Sequence, residues 1–181
     1  MNEPAAWRES QSGLTVTSNG KTDFWRVTHD GGIRHSGHFY SRPISGDFRL
    51  RATFYGSYSD QYDQSGIMVA ASETHWIKSG IEYVDGLRRA SAVVTADYSD
   101  WAISAEPVPS LVTFQLTRKQ DLIEISFGDP ASELCLFRQL SFPHGQTLQA
   151  GLMTASPTGA GFRTEFLNWE IEASPPQNTI S

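Results

Sequence analysis

Side chains that could do chemistry are concentrated in residues 62–86. Trp76, Lys78, Gly80 and Glu82 alternate there with other, largely apolar residues, and successive side chains of a β-strand point to opposite faces of the sheet. The four residues are therefore predicted to share one face. A face that only meets water usually has Ser, Thr and Lys, so a tryptophan beside an amine and a carboxylate favours a ligand-binding surface.

The residues before this strand predict a second strand that pairs with it. With residues 72–74 as the turn, a simple antiparallel register follows. This register places Gln64 opposite Glu82, Gly66 opposite Gly80 and Ala70 opposite Trp76. The two strands are expected to form a shallow floor with polar walls.

These residue types are the ones that a carbohydrate-binding site requires. Tryptophan rings stack on sugar faces, while amide, amine and carboxylate groups bond to sugar hydroxyls. The candidate ligand-binding residues are Trp25, Asp63, Gln64, Trp76, Lys78, Glu82, Thr95, Asp100 and Trp101. The alternative is that each tryptophan is a half-buried anchor and that Lys78 and Glu82 form a surface ion pair of small energetic value. Trp76, Lys78 and Glu82 taken together favour binding.

Glycoside hydrolysis is the catalytic alternative, and it needs two carboxyl groups. They lie about 5 to 5.5 Å apart for retention and about 6.5 to 9.5 Å apart for inversion, with one of them protonated. The candidate catalytic residues are Glu82, Asp63 and Asp100. In a regular strand Asp63 points away from the face of Gln64, so pairing Asp63 with Glu82 requires a bulge. Lys78 is expected to lower the pKa of Glu82, which suits a nucleophile and not an acid.

The histidines do not predict a metal site. His35 and His38 are three positions apart in residues 29–38, a glycine-containing segment typical of a loop. A protein metal site normally needs three or four converging ligands with a fixed second layer of contacts, and no third ligand is evident in the sequence. We therefore expect solvated loop histidines, with neither a metal nor a cofactor.

Charge and cysteine content narrow the class of protein. The chain has 14 Lys and Arg against 20 Asp and Glu residues, a net charge of -6, without a basic stripe. Nucleic-acid binding needs clustered positive charge, so no nucleic acid is expected as a partner, and no membrane either. The single cysteine, Cys135, excludes an intrachain disulfide and favours a reducing, cytoplasmic compartment. The short apolar strand pattern around Cys135 predicts that it is a small buried residue.

The rest of the 181-residue chain predicts an all-β fold. Residues 47–55 give the clearest strand pattern, with Phe48, Leu50, Ala52 and Phe54 alternating inward. About a dozen such segments follow one another with turn residues between them, and no stretch longer than about ten residues prefers the 3.6-residue period of a helix. This pattern is typical of a β-sandwich or a β-barrel.

Several motifs, found in order over nearly the whole chain, resemble a microbial family of largely uncharacterised proteins. The motifs are Asp23-Phe-Trp25, Tyr62-Asp-Gln-Ser-Gly-Ile-Met68, Trp76-Ile-Lys-Ser-Gly-Ile-Glu82, Val93-Val-Thr95, Ser99-Asp-Trp101 and Ala155-Ser-Pro157. The family is named for a fungal member described as a regulator of enolase. It is placed in the superfamily of concanavalin A-like lectins and glucanases.

This resemblance implies a jelly-roll sandwich of two antiparallel sheets, with one domain over residues 1–174 and a tail over residues 175–181. Members of the superfamily bind or hydrolyse glycans on a concave sheet, where residues 76–82 are expected to lie. Its best-known glucanases have two or three acidic residues at alternate positions of one strand, whereas the strand here has only Glu82. The family's name leaves a protein partner, and hence a regulatory interaction module, as a third alternative.

Overall fold

The computed structural model describes residues 1–11, 13–143, 145 and 147–173. Within these ranges the regular structure is all strand, and there is no helix long and apolar enough to cross a membrane. The strands are β1 (Ala6–Ser10), β2 (Gly13–Thr17), β3 (Phe24–Arg26), β4 (Ile33–His35), β5 (His38–Ser45), β6 (Phe48–Gly56), β7 (Gln64–Ala70), β8 (His75–Val84), β9 (Leu87–Ala96), β10 (Tyr98–Pro107), β11 (Val112–Lys119), β12 (Leu122–Gly128), β13 (Cys135–Ser141), β14 (Thr147–Ala155) and β15 (Arg163–Ala173). The predicted tail, residues 175–181, lies outside the described residues.

Two antiparallel sheets contain all but two of these strands. The seven-stranded sheet has the order β1-β2-β15-β6-β11-β12-β13, and the six-stranded sheet has the order β10-β9-β8-β7-β14-β5. The remaining strands, β3 and β4, pair with each other as a small hairpin. The two large sheets face each other across one apolar core, so the predicted all-β jelly-roll sandwich is confirmed.

Alternate side chains of both sheets fill the space between them. In β6 the side chains of Phe48, Leu50, Ala52 and Phe54 are fully buried, as the alternation predicts. The six-stranded sheet contributes Ile67, Val69, Ile77, Ile81, Ala90 and Ala92 to the same core. Burying a large apolar side chain stabilises the fold by roughly 1.5 to 3 kcal/mol. A one-residue slip in register would turn all of these side chains outward, so burial determines which face of each strand points inward.

A second apolar cluster lies on the outer face of the six-stranded sheet, the face turned away from the other sheet. The β3–β4 hairpin packs Phe24 against Trp76 there, with ring centroids 6.1 Å apart. The backbone amide of Arg26 donates to Oγ of Ser99, which anchors the hairpin to β10. The buried members of the cluster are Phe24, Phe39, Met68, Ala70, Trp76, Val93 and Met153. The hairpin thus covers one part of the outer face and leaves another part open.

β7 and β8 pair in the predicted register. Gln64 lies opposite Glu82, Gly66 opposite Gly80 and Ala70 opposite Trp76. A Cβ atom added to either glycine would collide with the backbone of the partner strand. Glycine at both positions therefore lets the two strands approach closely at the floor of the outer face.

Three local predictions are wrong. Residues 29–38 are not one loop, because β4 lies within them and finds its partner in β3. His38 begins β5 and is buried, so it is not a solvated loop histidine. Cys135 is exposed, because it lies on the edge strand β13, which has a neighbour on one side only. The cytoplasmic location, which rested on this cysteine, remains a prediction.

Candidate functional site

Trp76 belongs to the part of the outer face that the hairpin covers. Its ring has no exposed surface, packs against Phe24 and donates from Nε1 to the carbonyl oxygen of Glu73, 3.2 Å away. The residue does point to the outer face, as its parity predicts. The expectation that Trp76 stacks on a ligand is nevertheless corrected, because the hairpin occupies the position where a sugar would lie.

Thr95 and Trp25 also hold the hairpin in place. Thr95 is fully buried opposite Trp76, and its Oγ1 lies 2.9 Å from Oγ of Ser99, the hydroxyl that receives the hairpin amide. Trp25 is partly buried against the outer cluster and donates from Nε1 to the carbonyl oxygen of Thr28. Both residues were candidate ligand contacts, and the structure places both in the covered region.

Lys78 connects the covered region to the open one. Its buried Nζ donates to the carbonyl oxygen of Phe24 at 2.7 Å and to Oε1 of Gln64 at 2.6 Å, and it lies 3.5 Å from Oδ1 of Asp23. The amide of Gln64 donates in turn to the carbonyl oxygen of Tyr62. An ammonium group has three N–H donors. Two of them are used by Phe24 and Gln64, so Lys78 positions the hairpin and Gln64.

Glu82 lies at the bottom of a small depression in the open region. Its Oε2 accepts from Oγ of Ser91 at 2.6 Å and from Nε1 of Trp101 at 2.8 Å. Its Oε1 accepts no hydrogen bond from the part of the chain that the structure describes. The depression, which we call the Glu82 pocket, is lined by Gln64, Lys78, Ser79, Gly80, Ile81, Glu82, Ser91 and Met153. Its volume is about 10 Å³, roughly enough for one water molecule or one hydroxyl group.

Two exposed aromatic rings lie near Glu82: Trp101 bonds to it, and Tyr62 packs against Trp101. Trp101 is 40% exposed and Tyr62 is 37% exposed. Their centroids are 6.3 Å apart and their planes are nearly perpendicular. Tyr62 was not among the sequence candidates, and strand parity does not place its side chain, because it lies in the turn before β7 with a φ of 69°. We expected Trp76 to supply an aromatic ring beside Glu82. In the structure Trp101 has that position.

The charge state of Glu82 differs from the sequence expectation. Burial raises the pKa of the Glu82 carboxyl, and the effect outweighs the opposing attraction of Lys78 and the hydrogen bonds from Ser91 and Trp101. The negative charge of Asp23 raises the pKa further. Lys78 does lower this pKa, as predicted, but the net shift is upward because desolvation of a nearly fully buried carboxylate is the larger effect.

The other two candidate carboxylates do not reach this site. Asp63 is fully buried and accepts from Oγ of Ser156 at 2.6 Å and from the amides of Ser59 and Asp60 at 3.0 Å, so it fixes a loop. Asp100 pairs with Arg138 at 3.1 Å. Asp100 lies opposite Val94 in the β9–β10 ladder, and Val94 packs against the inter-sheet core, so Asp100 leaves its strand on the other face from Glu82. Both are corrected as ligand-binding and catalytic candidates.

No cluster of three or more metal-ligating side chains occurs in the described ranges of the chain. His38, which the sequence had placed in a solvated loop, bonds instead to backbone groups. Its Nδ1 lies 2.6 Å from the carbonyl oxygen of Asn2, and its Nε2 accepts from the amide of Asn19 at 2.8 Å. Both ring nitrogens are thus occupied by backbone partners.

Fold and site together define a jelly-roll β-sandwich with a polar pocket on the outer face of one sheet. The chain belongs to the family described as a protein of unknown function (DUF1349), whose model matches residues 1–174. It is 31% identical over 174 residues to "Regulation of enolase protein 1" of Saccharomyces cerevisiae, an alignment that covers 96% of this chain and 88% of that protein.

Solved structures give a consistent result. A protein of unknown function from Saccharomyces cerevisiae superimposes with a TM-score of 0.92 at 31% identity, covering 97% of this chain and 95% of that one. A xylan β-1,4-xylosidase from Bacillus halodurans gives 0.72 at 12% identity, covering 88% of this chain but 32% of the enzyme. The carbohydrate-binding module CBM66 from Bacillus subtilis gives 0.61 at 12% identity, covering 93% and 91%. At 12% identity these last two likenesses show the fold alone.

Proposed function

We propose that the protein binds a carbohydrate on the open region of the outer face, with one sugar hydroxyl in the Glu82 pocket. The observation behind this proposal is the free Oε1 of Glu82, whose other oxygen bonds to the exposed Trp101, with Tyr62 packed against that ring. A hydroxyl donates to a carboxylate oxygen, and amphipathic aromatic rings such as those of Trp101 and Tyr62 pack on the apolar face of a sugar. Since the pocket has room for only one hydroxyl, the sugar ring itself lies outside, against the rim.

Two comparisons support this proposal. The structural match to the carbohydrate-binding module extends over nearly the full length of both chains, so a whole module of similar fold is described as binding carbohydrate. The xylosidase matches over about a third of its length, 32%, so the activity of the whole enzyme is a weaker guide. The similarity concerns the fold, and the residues of the Glu82 pocket suggest where a ligand would lie.

A glycoside hydrolase is the second candidate, and the raised pKa of Glu82 favours it. A raised pKa is what a carboxyl group needs to act as a general acid. Asp23 is the acidic residue whose charge acts on Glu82, so it is the second carboxylate that this mechanism would use. Oδ1 of Asp23, however, already accepts from the amide of Phe24 at 2.8 Å and lies 3.5 Å from Nζ of Lys78. Binding without hydrolysis is therefore the better-supported function.

Titration calorimetry of the protein with a panel of neutral mono- and oligosaccharides tests this proposal. Glu82→Gln removes the charged acceptor and should weaken binding by about 10- to 100-fold, the range for hydrogen bonds to charged groups. Asp100→Asn is the matched control on the other face of the sheet, and it should bind as the unaltered protein does. Absence of binding across the panel, or equal losses in both variants, would overturn the proposal.

An assay for released reducing ends, run on the same mixtures, separates the two candidates. Binding without release supports a carbohydrate-binding module. Release that disappears in both Glu82→Gln and Asp23→Asn, while Asp100→Asn stays active, would replace that proposal with the hydrolase. Folding of each variant is checked by its thermal unfolding transition before it is compared.

A further inference from the structure

Tyr62, the ring that packs against Trp101, has a backbone conformation that disfavours its side chain. Its φ is 69°, and it has the largest side chain among the described non-glycine residues with a positive φ. The Cβ atom of an L-residue crowds the backbone in this left-handed region, which makes the conformation rare for a bulky residue. Glycine has no Cβ atom and adopts it freely. A tyrosine therefore stands where the backbone by itself favours glycine.

A tight turn imposes this conformation. The amide of Asp63 donates to the carbonyl oxygen of Asp60 at 3.0 Å, which closes a four-residue turn with Tyr62 at its third position. The third position of a type II turn needs a positive φ and is usually glycine. The amide of Tyr62 also donates to the carbonyl oxygen of Tyr83 at 2.7 Å. Glycine would supply the same backbone groups, so these bonds explain the turn but not the tyrosine.

The buried carboxylate of Asp63 holds the turn in this shape. Its Oδ2 accepts from the amides of Ser59 and Asp60, both at 3.0 Å, and its Oδ1 accepts from Oγ of Ser156 at 2.6 Å. Hydrogen bonds to an ionised acceptor are stronger than neutral ones. The surroundings of Asp63 can therefore keep the turn closed against the strain at Tyr62.

The ring of Tyr62 contributes little to the core. It is 37% exposed, and the ring of Trp101 against which it packs is 40% exposed. A contact between two half-exposed rings removes only a small apolar area from water, so it adds little to the stability of the fold. Strained backbone that the surrounding structure holds in place is concentrated at functional sites. The strain at Tyr62 thus points to a use of its ring outside the core.

We propose that Tyr62 is a ligand-contacting ring held in a strained position for binding, and that Asp63 is the residue that positions it. This inference rests on the proposed carbohydrate function and specifies how that site is kept in shape. The strain is present before a ligand arrives, so the ring is already beside Trp101 and binding does not have to order the turn. Asp63 meets no ligand itself and acts through Tyr62.

Three variants of Tyr62 test the role of the ring and of the strain. Calorimetry uses the neutral saccharide of the panel that the unaltered protein binds most tightly. Tyr62→Phe keeps the ring and should bind within about 3-fold of the unaltered protein, while Tyr62→Gly and Tyr62→Ala should bind about 3- to 10-fold more weakly. Tyr62→Gly should unfold at a higher temperature than Tyr62→Ala, the reverse of the order at positions with negative φ.

Variants of Asp63 test whether it acts through Tyr62. Asp63→Ala removes the acceptors of the turn and should weaken binding by about 3- to 10-fold, whereas Asp63→Asn keeps an oxygen for the two turn amides and should restore most of the affinity. In the Tyr62→Gly background, Asp63→Ala should cause no further loss, because the ring that it positions is absent. Ser156→Ala, which removes one bond to the carboxylate, takes the place of Asp63→Ala if that variant does not fold.

Asp47→Ala is the matched control. Its carboxylate accepts from the amide of Gln120 at 2.6 Å in a different turn, and Gln120 also has a positive φ, of 54°. This variant should lower the unfolding temperature and leave saccharide binding unchanged.

The possible outcomes separate this inference from the carbohydrate function. The inference fails alone if the unaltered protein binds a saccharide and Tyr62→Gly binds it equally well. It also fails alone if Tyr62→Ala unfolds at a higher temperature than Tyr62→Gly, or if Asp63→Ala weakens binding equally with and without the tyrosine ring. If the unaltered protein binds no saccharide, the carbohydrate function and this inference are both overturned.

Discussion

Trp76 and Glu82 lie on the same strand and the same face of the six-stranded sheet, yet they belong to different environments. Trp76 is covered by Phe24 of the β3–β4 hairpin and has become part of an apolar cluster. Glu82, six residues further along, lies beyond the hairpin, in a pocket whose rim rings are exposed. In the sequence both residues were candidate ligand contacts, because they have the same parity in the strand.

The comparison between the covered and open regions shows that side-chain orientation is not the same as accessibility. Pairing in the sheet determines the face to which a residue points, while a separate element determines whether that face meets solvent. Lys78 lies at the boundary and bonds to both sides, to the hairpin through Phe24 and to the open region through Gln64. Variants that remove contacts on either side of Lys78 test whether the covered and open regions differ in this way.

Truncation of the covered ring should have the largest effect. Trp76→Ala is expected to lower the free energy of unfolding by about 3 to 5 kcal/mol, because it leaves a large cavity under the hairpin. Trp101→Ala is the matched variant in the open region. It loses a half-exposed ring and one hydrogen bond to Glu82, so it should cost only about 1 to 2 kcal/mol.

Urea denaturation followed by far-ultraviolet circular dichroism measures both values. If Trp101→Ala destabilises the protein as much as Trp76→Ala does, the two regions do not differ in the way described. Carbohydrate binding gives the complementary measurement, since it should be lost in Trp101→Ala.

Removal of the boundary charge should have the next largest effect. Lys78→Met keeps most of the side-chain volume but leaves Oε1 of Gln64 and the carboxylate of Asp23 without their cation. Breaking a fully buried ion pair costs about 3 to 5 kcal/mol, and because Asp23 is partly exposed we expect about 2 to 3 kcal/mol.

Hydrogen exchange locates this loss within the molecule. The amide of Arg26, which bonds to Ser99, should exchange faster in Lys78→Met because the hairpin opens more often. Arg138→Met, which removes the partly buried partner of Asp100, serves as the control and should leave this amide unchanged. Equal protection of the Arg26 amide in Lys78→Met and the unaltered protein would contradict the boundary role.

The smallest effect concerns the pH dependence of stability in the open region. The folded-state pKa of Glu82 lies above its ordinary value of 4.5. At pH values between the ordinary and the folded-state pKa, the folded protein therefore binds more protons than the unfolded chain. The contribution of Glu82 to stability is therefore full below the unfolded-state pKa and is lost as pH rises through the folded-state pKa. Glu82→Gln cannot ionise, so it should lose less stability than the unaltered protein as pH rises from about 4 towards 8.

Urea denaturation of the two proteins at several pH values measures this difference. Parallel stability curves across the whole range would show that the pKa of Glu82 is not raised, and the pocket would then lack the desolvation that its burial indicates. Curves that diverge with rising pH would confirm it.

Much of the fold was predictable because local pattern and burial agree. The alternation in β6 and the turn before β8 were sufficient to predict an inward face and a register that the structure confirms. β4 and β10 were not recognised as strands. β4 has only three residues, and β10 has exposed and half-buried residues along most of its length, so neither shows a clean apolar alternation.

The candidate site was predicted in part. Glu82 and Trp101 meet in the open region, as their joint selection implied, and Ser91 joins them from its position opposite Gly80. Tyr62 could not be found from the parity of Gln64, because it lies in the turn before β7 with a positive φ. Asp63 and Asp100 could not be placed, because a loop and an inter-sheet ion pair decide their surroundings.

The sequence by itself determined that this chain is all-β and that Trp76, Lys78, Gly80 and Glu82 share one face of a sheet. It did so because the two-residue repeat of a strand is a local property of the backbone. Only the tertiary structure decided that Trp76 is core, that Lys78 bonds to Phe24 and Gln64, and that Glu82 and Trp101 lie in the open region. Those outcomes depend on where the β3–β4 hairpin packs, and no periodicity within β8 encodes the position of a segment some fifty residues away in the chain.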